Sequence, residues 1–84
     1  MRVLVVDDEV KLAKLLQRGL RQRGIATDIA DSGEEALVRA RATLYDAIVL
    51  DVMLPGIDGD PFYAHVFKVV WLSQNGRVIR SISS

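Results

Sequence analysis

The chain has 84 residues, half of them hydrophobic, and its 11 basic and 11 acidic side chains give a formal net charge of 0. These values exclude a disordered chain, and the length fits one domain rather than two. The lack of cysteine excludes a disulfide framework and a cysteine metal site, and no apolar run approaches the roughly 18 residues of a membrane span. Because Met1 leads directly into a strand-like run, we expect no signal peptide and a cytoplasmic location.

Residues 1–59 predict three strands that alternate with two helices. The aliphatic runs at residues 3–6 and 47–50 are typical of strands covered on both faces, and residues 25–30 form a shorter strand-like run. Apolar residues recur at helical spacing over residues 10–23, and Gly24 follows them. Asp31 or Ser32 caps a second predicted helix. The order β-α-β-α-β indicates an α/β fold with a parallel sheet and right-handed crossovers.

Three carboxylates follow predicted strands at the point where each strand ends. Asp7 and Asp8 come directly after the first strand, and Asp51 comes after the third. If these strands are neighbours, the three side chains converge at the carboxyl edge of the sheet, where ligands bind in open α/β folds. Mg²⁺ would offset their mutual repulsion, and a carboxylate beside it could accept a phosphoryl group. Alternatively, the acids only cap helices or are satisfied structural groups.

The amino-acid sequence of residues 1–59 resembles that of a known protein family. The matching stretches are residues 3–9, 31–37 and 45–56, and Asp58-Gly59 closes the match. Together and in this order they resemble the first half of a bacterial response-regulator receiver domain. The sequence is most similar to the subfamily whose receivers precede a winged-helix DNA-binding domain.

The resemblance implies a role for four residues. Asp51 falls at the phospho-acceptor of the family, and Asp7 and Asp8 fall at the acidic pair that holds Mg²⁺ with it. Met53 falls where the family offers a backbone carbonyl to the metal. The resemblance also implies a sensor histidine kinase as phosphodonor and a signalling function rather than an enzymatic one.

After Gly59 the sequence departs from the family. The family continues with two further strand–helix units, but only 25 residues remain here, and they carry one acid and three bases. We therefore expect a truncated flavodoxin-like fold, with residues 1–59 as the first half of a receiver-like domain and residues 60–84 as a tail. The lysine that contacts the phosphate in the family has no counterpart, since Lys68, Arg77 and Arg80 lie in other contexts. Ser73 follows an apolar run and is a candidate phosphate-binding hydroxyl.

The tail predicts a β-hairpin. Residues 66–72 and 77–82 are strand-like, and Asn75-Gly76 is typical of a two-residue hairpin turn. With this turn, Leu72 would lie opposite Ile79 and Trp71 opposite Arg80. The hairpin could pack on its own domain or exchange with that of a second copy.

Three functions remain open from the sequence. The first is a phospho-acceptor module with an impaired switch, and the second is a phosphorylation-independent binding or dimerisation module. The third, a phosphatase or phosphotransferase of a related class, has no placed general acid and is the weakest. We expect a homodimer, with or without exchanged tails, because the apolar third strand would otherwise expose an edge. Without a basic stripe, we expect no direct nucleic-acid contact.

Overall fold

A computed structural model describes the backbone of residues 1–55, 63–72 and 78–83, and the side chains of residues 1–52 and 67–72. Its elements in chain order are β1 (Arg2–Val6), α1 (Val10–Gln22), β2 (Ala26–Ala30), α2 (Gly33–Ala42), β3 (Ala47–Pro55), β4 (Tyr63–Leu72) and β5 (Val78–Ser83). Neither of the two described helices is long and apolar enough to cross a membrane. The predicted β-α-β-α-β order is confirmed over residues 1–55, but the expectation that the third strand ends before Asp51 is wrong, because β3 continues to Pro55.

All five described strands form one sheet in the order β2-β1-β3-β4-β5. β1 lies parallel to both β2 and β3, as the sequence predicts, whereas β4 runs antiparallel to β3. The direction of β4 follows from chain length, because only residues 56–62 separate it from β3 and a parallel crossover needs about a dozen residues or more. The fold is an α/β sheet in which three parallel strands continue into two antiparallel strands, β4 and β5.

The hairpin register differs from the prediction at one pair. Trp71 lies opposite Arg80, as expected, but Leu72 lies opposite Val78 rather than Ile79. The pairing shifts between Trp71 and Leu72, so one extra residue of β5 is accommodated there. The predicted Asn75-Gly76 turn lies outside the described residues.

The core lies between the sheet and the two helices. Ala13 of α1 is fully buried, and α1 contacts β1 and β2. The opposite face of the sheet carries a buried cluster of Leu4, Ala30 and Tyr45, against which four partly buried residues pack: Val6, Ala36, Ile48 and Leu72. Helix α2 covers this second face. The packing there holds β1 and β3 in register, which fixes where their ends lie.

A polar network links β2, the first residue of β1 and Tyr45, which precedes β3. The Tyr45 hydroxyl donates a hydrogen bond of 2.7 Å to Asp28 Oδ2, and the Arg2 guanidinium forms a 3.0 Å ion pair with the same oxygen. The hydrogen bond from Tyr45 and the contact with Arg2 hold the pKa of Asp28 below its usual value. Burial and the Asp28 charge raise the pKa of Tyr45.

Removal of the Tyr45 hydroxyl tests this network. We expect Tyr45→Phe to lower the free energy of unfolding by about 1 to 2 kcal/mol, because the Asp28 carboxylate loses a charge-assisted hydrogen bond at a partly buried position. Urea denaturation at pH 7 measures the loss. The same substitution in an Asp28→Asn background should cost clearly less, and an equal cost in both backgrounds would contradict the assigned partner.

Candidate functional site

The parallel pairing of β1 with β3 positions two of the predicted site residues. Val6 lies opposite Leu50, so the residues that follow them, Asp7 and Asp51, lie at the same edge of the sheet. Asp8 continues from Asp7 into the turn that precedes α1. The expectation that the strands carrying these acids are neighbours is therefore confirmed.

All three predicted carboxylates line one cleft. Its volume is about 350 Å³, and it is lined by Val6, Asp7, Asp8, Asp31, Ser32, Gly33, Leu50 and Asp51. The structure thus brings Asp51 close to Asp7 and Asp8, although Asp51 follows Asp7 by 44 positions in the sequence. Their degrees of burial differ, since Asp7 is buried, Asp51 is half-buried and Asp8 is exposed.

Asp7 is the most constrained of the three acids. Only 4% of it is exposed, and its Oδ1 accepts a 2.9 Å hydrogen bond from the backbone N–H of Glu9. Its Oδ2 is buried and has no hydrogen-bond partner among the described residues. Burial raises the pKa of Asp7, the hydrogen bond from Glu9 opposes this rise, and the neighbouring Asp51 and Asp8 charges add to it.

The start of α2 forms one wall of the cleft, which the sequence did not reveal. Ser32 is the N-cap, and its Oγ accepts a 3.1 Å hydrogen bond from the backbone N–H of Glu35. Asp31 precedes it, and both line the cleft. The sequence assigned these residues only a capping role. The position of β2 beside β1 is the feature that could have placed its following loop at the same edge.

The side chains of the other two predicted site residues, Met53 and Ser73, lie outside the described part of the chain. The backbone of Met53 lies in β3, two residues beyond Asp51 and opposite His65. Ser73 lies outside the described residues. Leu72, the residue before it, donates its backbone N–H to the carbonyl of Asp46, at the amino end of β3 and away from Asp51. The described part of β4 therefore gives no support to a phosphate-binding role for Ser73.

The chemistry of the cleft fits a hard divalent cation. In the part of the chain whose side chains are described, no group of three or more His, Cys, Asp or Glu residues is arranged to hold a metal ion. A Mg²⁺ ion, however, is commonly held by one or two carboxylates and completed by water. The buried Oδ2 of Asp7, next to the Asp51 carboxylate, is a ligand atom that such an ion would use.

Comparisons with known proteins point to one family. The family described as the response regulator receiver domain matches residues 3–79. This match extends beyond Gly59, where we expected the resemblance to end, whereas the similar curated proteins align over 58 or 59 residues. No solved structure matches the chain.

Three similar curated proteins are transcriptional regulators by name. The chain is 49% identical over 59 residues to the transcriptional regulatory protein TcrA of Mycobacterium tuberculosis, covering 70% of this chain and 23% of that protein. It is 43% identical over 58 residues to the transcriptional regulatory protein ResD of Bacillus subtilis, covering 69% and 24%. It is 50% identical over 58 residues to the alkaline phosphatase synthesis transcriptional regulatory protein PhoP of the same organism, covering 69% and 24%. The chain therefore spans about a quarter of these relatives.

The buried carboxyl of Asp7 gives a test through the pH dependence of stability. Since the folded-state pKa of Asp7 lies above the ordinary value of 3.8, the folded chain holds this proton more tightly than the unfolded chain. The free energy of unfolding should then fall as pH rises from 3.8 through the raised pKa. Asp7→Asn removes the ionisable group and keeps an oxygen for the Glu9 N–H. We expect it to be more stable than the parent at pH 7 and not at pH 3.

Asp28→Asn is the matched control for this measurement. The pKa of Asp28 is lowered, so its contribution to stability is present above pH 3.8 and is lost as pH falls through the lowered pKa. The control should therefore be less stable than the parent at pH 7. Urea denaturation at several pH values measures both variants, and a loss of stability in Asp7→Asn at pH 7 would disprove the assigned repulsion.

Proposed function

The chain belongs to the family of response regulator receiver domains, and we propose that it accepts a phosphoryl group from a sensor histidine kinase onto Asp51. The observation that carries this proposal is the cleft in which Asp51 lies beside the buried Asp7 carboxyl and the exposed Asp8. We treat the chain as a cytoplasmic signalling module and not as an enzyme. Its output is regulation of transcription, as the names of its relatives suggest.

The proposed reaction is a simple phosphoryl transfer. An oxygen of the Asp51 carboxylate attacks the phosphorus of the kinase phosphohistidine, so an O–P bond forms while the P–N bond breaks. The leaving imidazole nitrogen keeps the electron pair of the broken bond and takes up a proton. Asp51 is half-buried and lines the cleft, which is the side from which we propose that the phosphoryl group approaches.

Mg²⁺ is the proposed cofactor. When bound at Asp7, Asp8, Asp51 and the Met53 carbonyl, it would neutralise the carboxylates and polarise the phosphoryl oxygens. The chain itself contributes preorganisation, because the hydrogen bond from the Glu9 N–H fixes one oxygen of Asp7 and leaves the other available. This buried oxygen supports a specific cation site rather than a diffuse acidic surface.

We further propose that phosphorylation does not drive an ordinary switch. The elements that respond to the phosphate in the family lie after residue 59, and here β4 and β5 form an antiparallel hairpin instead. A ligand shifts a conformational equilibrium only through contacts that differ between the two states. The described lining of the cleft contains no lysine, so among the described residues such differential contacts are few.

Labelling with acetyl phosphate tests the phospho-acceptor assignment. In the presence of Mg²⁺ we expect intact mass spectrometry to show one phosphoryl group on the parent and none on Asp51→Asn. Asp46→Asn is the matched control, because Asp46 directly precedes the amino end of β3, does not line the cleft, and as asparagine keeps an oxygen that accepts from the Arg2 N–H. We expect this control to be labelled like the parent.

Two results would count against the proposal. The first is an unlabelled parent under conditions that label an intact receiver. The second is equal labelling of Asp51→Asn and the parent, which would place the phosphoryl group on another residue.

A second candidate function is a phosphorylation-independent binding or dimerisation module. It is favoured by an apolar groove of about 420 Å³ between α2 and the strands β1, β3 and β4. Leu37 and Leu44 line this groove and are 60% and 71% exposed. For both candidates we propose no direct nucleic-acid contact.

The expected homodimer gives the test of this second candidate. Within one chain, β4 already pairs with the edge of β3, so the strand edge that first suggested a dimer is covered. The apolar groove remains as a reason to expect self-association. Light scattering across a tenfold dilution series should show a homodimer that dissociates on dilution, and Leu44→Asp should weaken it at least about tenfold. A monomer at every concentration would refute the dimer, with or without exchanged tails.

A further inference from the structure

The outer face of α2 carries one continuous stripe of exposed side chains. The stripe consists of residues at positions i, i+3, i+4 and i+7 of the helix, all of them exposed: Glu34, Leu37, Val38 and Arg41. Residues with this spacing lie on one side of a helix, one turn after another. Leu37 is 60% exposed and Val38 is 65% exposed. The outer face of α2 therefore runs from an acid, through two apolar side chains, to a base.

The charges of this stripe are symmetric about the middle of the helix. Because α2 spans Gly33–Ala42, its midpoint lies between Leu37 and Val38. Glu34 lies three positions before Leu37, and Arg41 lies three positions after Val38. A two-fold axis through this midpoint would place Glu34 opposite the Arg41 of a second copy at both ends of the contact, with the apolar residues at its centre.

Both charged residues are available for such a contact. The ion pair described within α2 joins Glu35 to Arg39, and in the part of the chain whose side chains are described neither Glu34 nor Arg41 takes part in an ion pair. Glu34 and Arg41 are seven positions apart, which is about 10 Å along a helix and too far for a direct ion pair within one chain. An antiparallel second helix brings opposite charges together at both ends.

A second copy of the chain matches this face better than a partner of uniform charge. An acidic partner would be attracted to the Arg41 end and repelled at the Glu34 end, and a basic partner would meet the reverse. An antiparallel copy meets attraction at both ends, and its helix dipole also opposes that of the first. The contact of Leu37 with Val38 of the second copy removes apolar surface from water. Charge and hydrophobicity thus favour the same arrangement.

We propose that the outer face of α2 is a homodimer interface, in which two copies pack their α2 helices antiparallel about a two-fold axis between Leu37 and Val38. Leu37 also lines the apolar groove, so this α2 interface is continuous with the groove. A contact of about three helical turns is small, and the dimer is accordingly weak and dissociates on dilution. The α2 interface rests on the self-association of the second candidate function and does not depend on phosphoryl transfer.

Charge reversal tests the pairing of Glu34 with Arg41. In sedimentation equilibrium at low salt, Glu34→Arg and Arg41→Glu should each raise the dimer dissociation constant at least about tenfold, because both symmetry-related contacts change from attraction to repulsion. The double variant Glu34→Arg/Arg41→Glu has opposite charges at both contacts again and should dimerise like the parent. An equimolar mixture of the two single variants should form a heterodimer for the same reason.

The double variant also separates a lost contact from a damaged helix. Reversed charges at the ends of α2 oppose the helix dipole, so each single variant should lower the urea midpoint and the double variant should lower it further. A loss of the dimer through damage to the helix would therefore be largest in the double variant, in which a loss of pairing is absent. High salt should reduce the difference between the single variants and the parent, because it screens exposed charges.

Leu37→Ser tests the apolar centre of the α2 interface. It should raise the dimer dissociation constant at least about tenfold, since the contact occurs twice in a two-fold dimer. Leu15→Ser is the matched control, because Leu15 is 65% exposed on α1. We expect this control to dimerise like the parent.

Two results would overturn the α2 interface. The first is a parent that is monomeric at every concentration, which removes the dimer of the second candidate function as well and leaves this face to solvent or to a different protein. The second is a dimer that Leu44→Asp weakens and that the charge reversals leave unchanged. That result would place the contact at the groove, so the second candidate function stands and only the α2 interface fails. Labelling by acetyl phosphate tests the phospho-acceptor function separately.

Discussion

The parallel pairing of β1 with β3 is the interaction on which the rest of the site depends. The two strands are held in register by apolar residues on the face beneath α2, where Leu4 lies opposite Ile48 and Val6 opposite Leu50. Asp7 follows β1 directly and Asp51 follows Leu50 within β3, so this register brings both acids to the edge where the pairing of the two strands ends. A shift of one residue would move the apolar side chains to the opposite face, and the core therefore fixes the geometry of the acids.

The short connection between β3 and β4 is the second constraint. A strand that returns antiparallel places its first residues beside the carboxyl end of its neighbour and its last residues beside the amino end. The structure accordingly brings Phe67 and Lys68 next to Asp51 and Leu50, while Leu72 lies beside Asp46. In a parallel β4 these positions would be exchanged, and the residue after Leu72 would lie at the acidic edge. The direction of one strand thus determines which residues of β4 lie beside Asp51.

The sequence predicted the elements more successfully than their pairing. Strand and helix positions follow from local periodicity and capping residues, and the convergence of Asp7 with Asp51 follows from the β-α-β-α-β order. The position of Lys68 could not be predicted in this way, because it depends on the register of a strand that is distant in sequence. The pairing of Leu72 with Val78 was not predicted for a related reason. A register shift of one residue cannot be recognised in the hydrophobic pattern of so short a strand. The capping role of Ser32 was visible in the sequence, but its place in the cleft wall was not.

The burial of Asp7 connects the stability of this chain with its proposed function. A carboxylate oxygen that is buried without a hydrogen-bond partner among the described residues destabilises a fold, and nearby acids increase the effect. A sheet of five strands with two helices has a small core with which to offset such a cost. An apolar side chain in place of Asp7 would remove the penalty, so packing alone gives no reason for a carboxylate there. A bound cation does give a reason, because the repulsion that weakens the metal-free fold is recovered as binding free energy when the ion neutralises the acids.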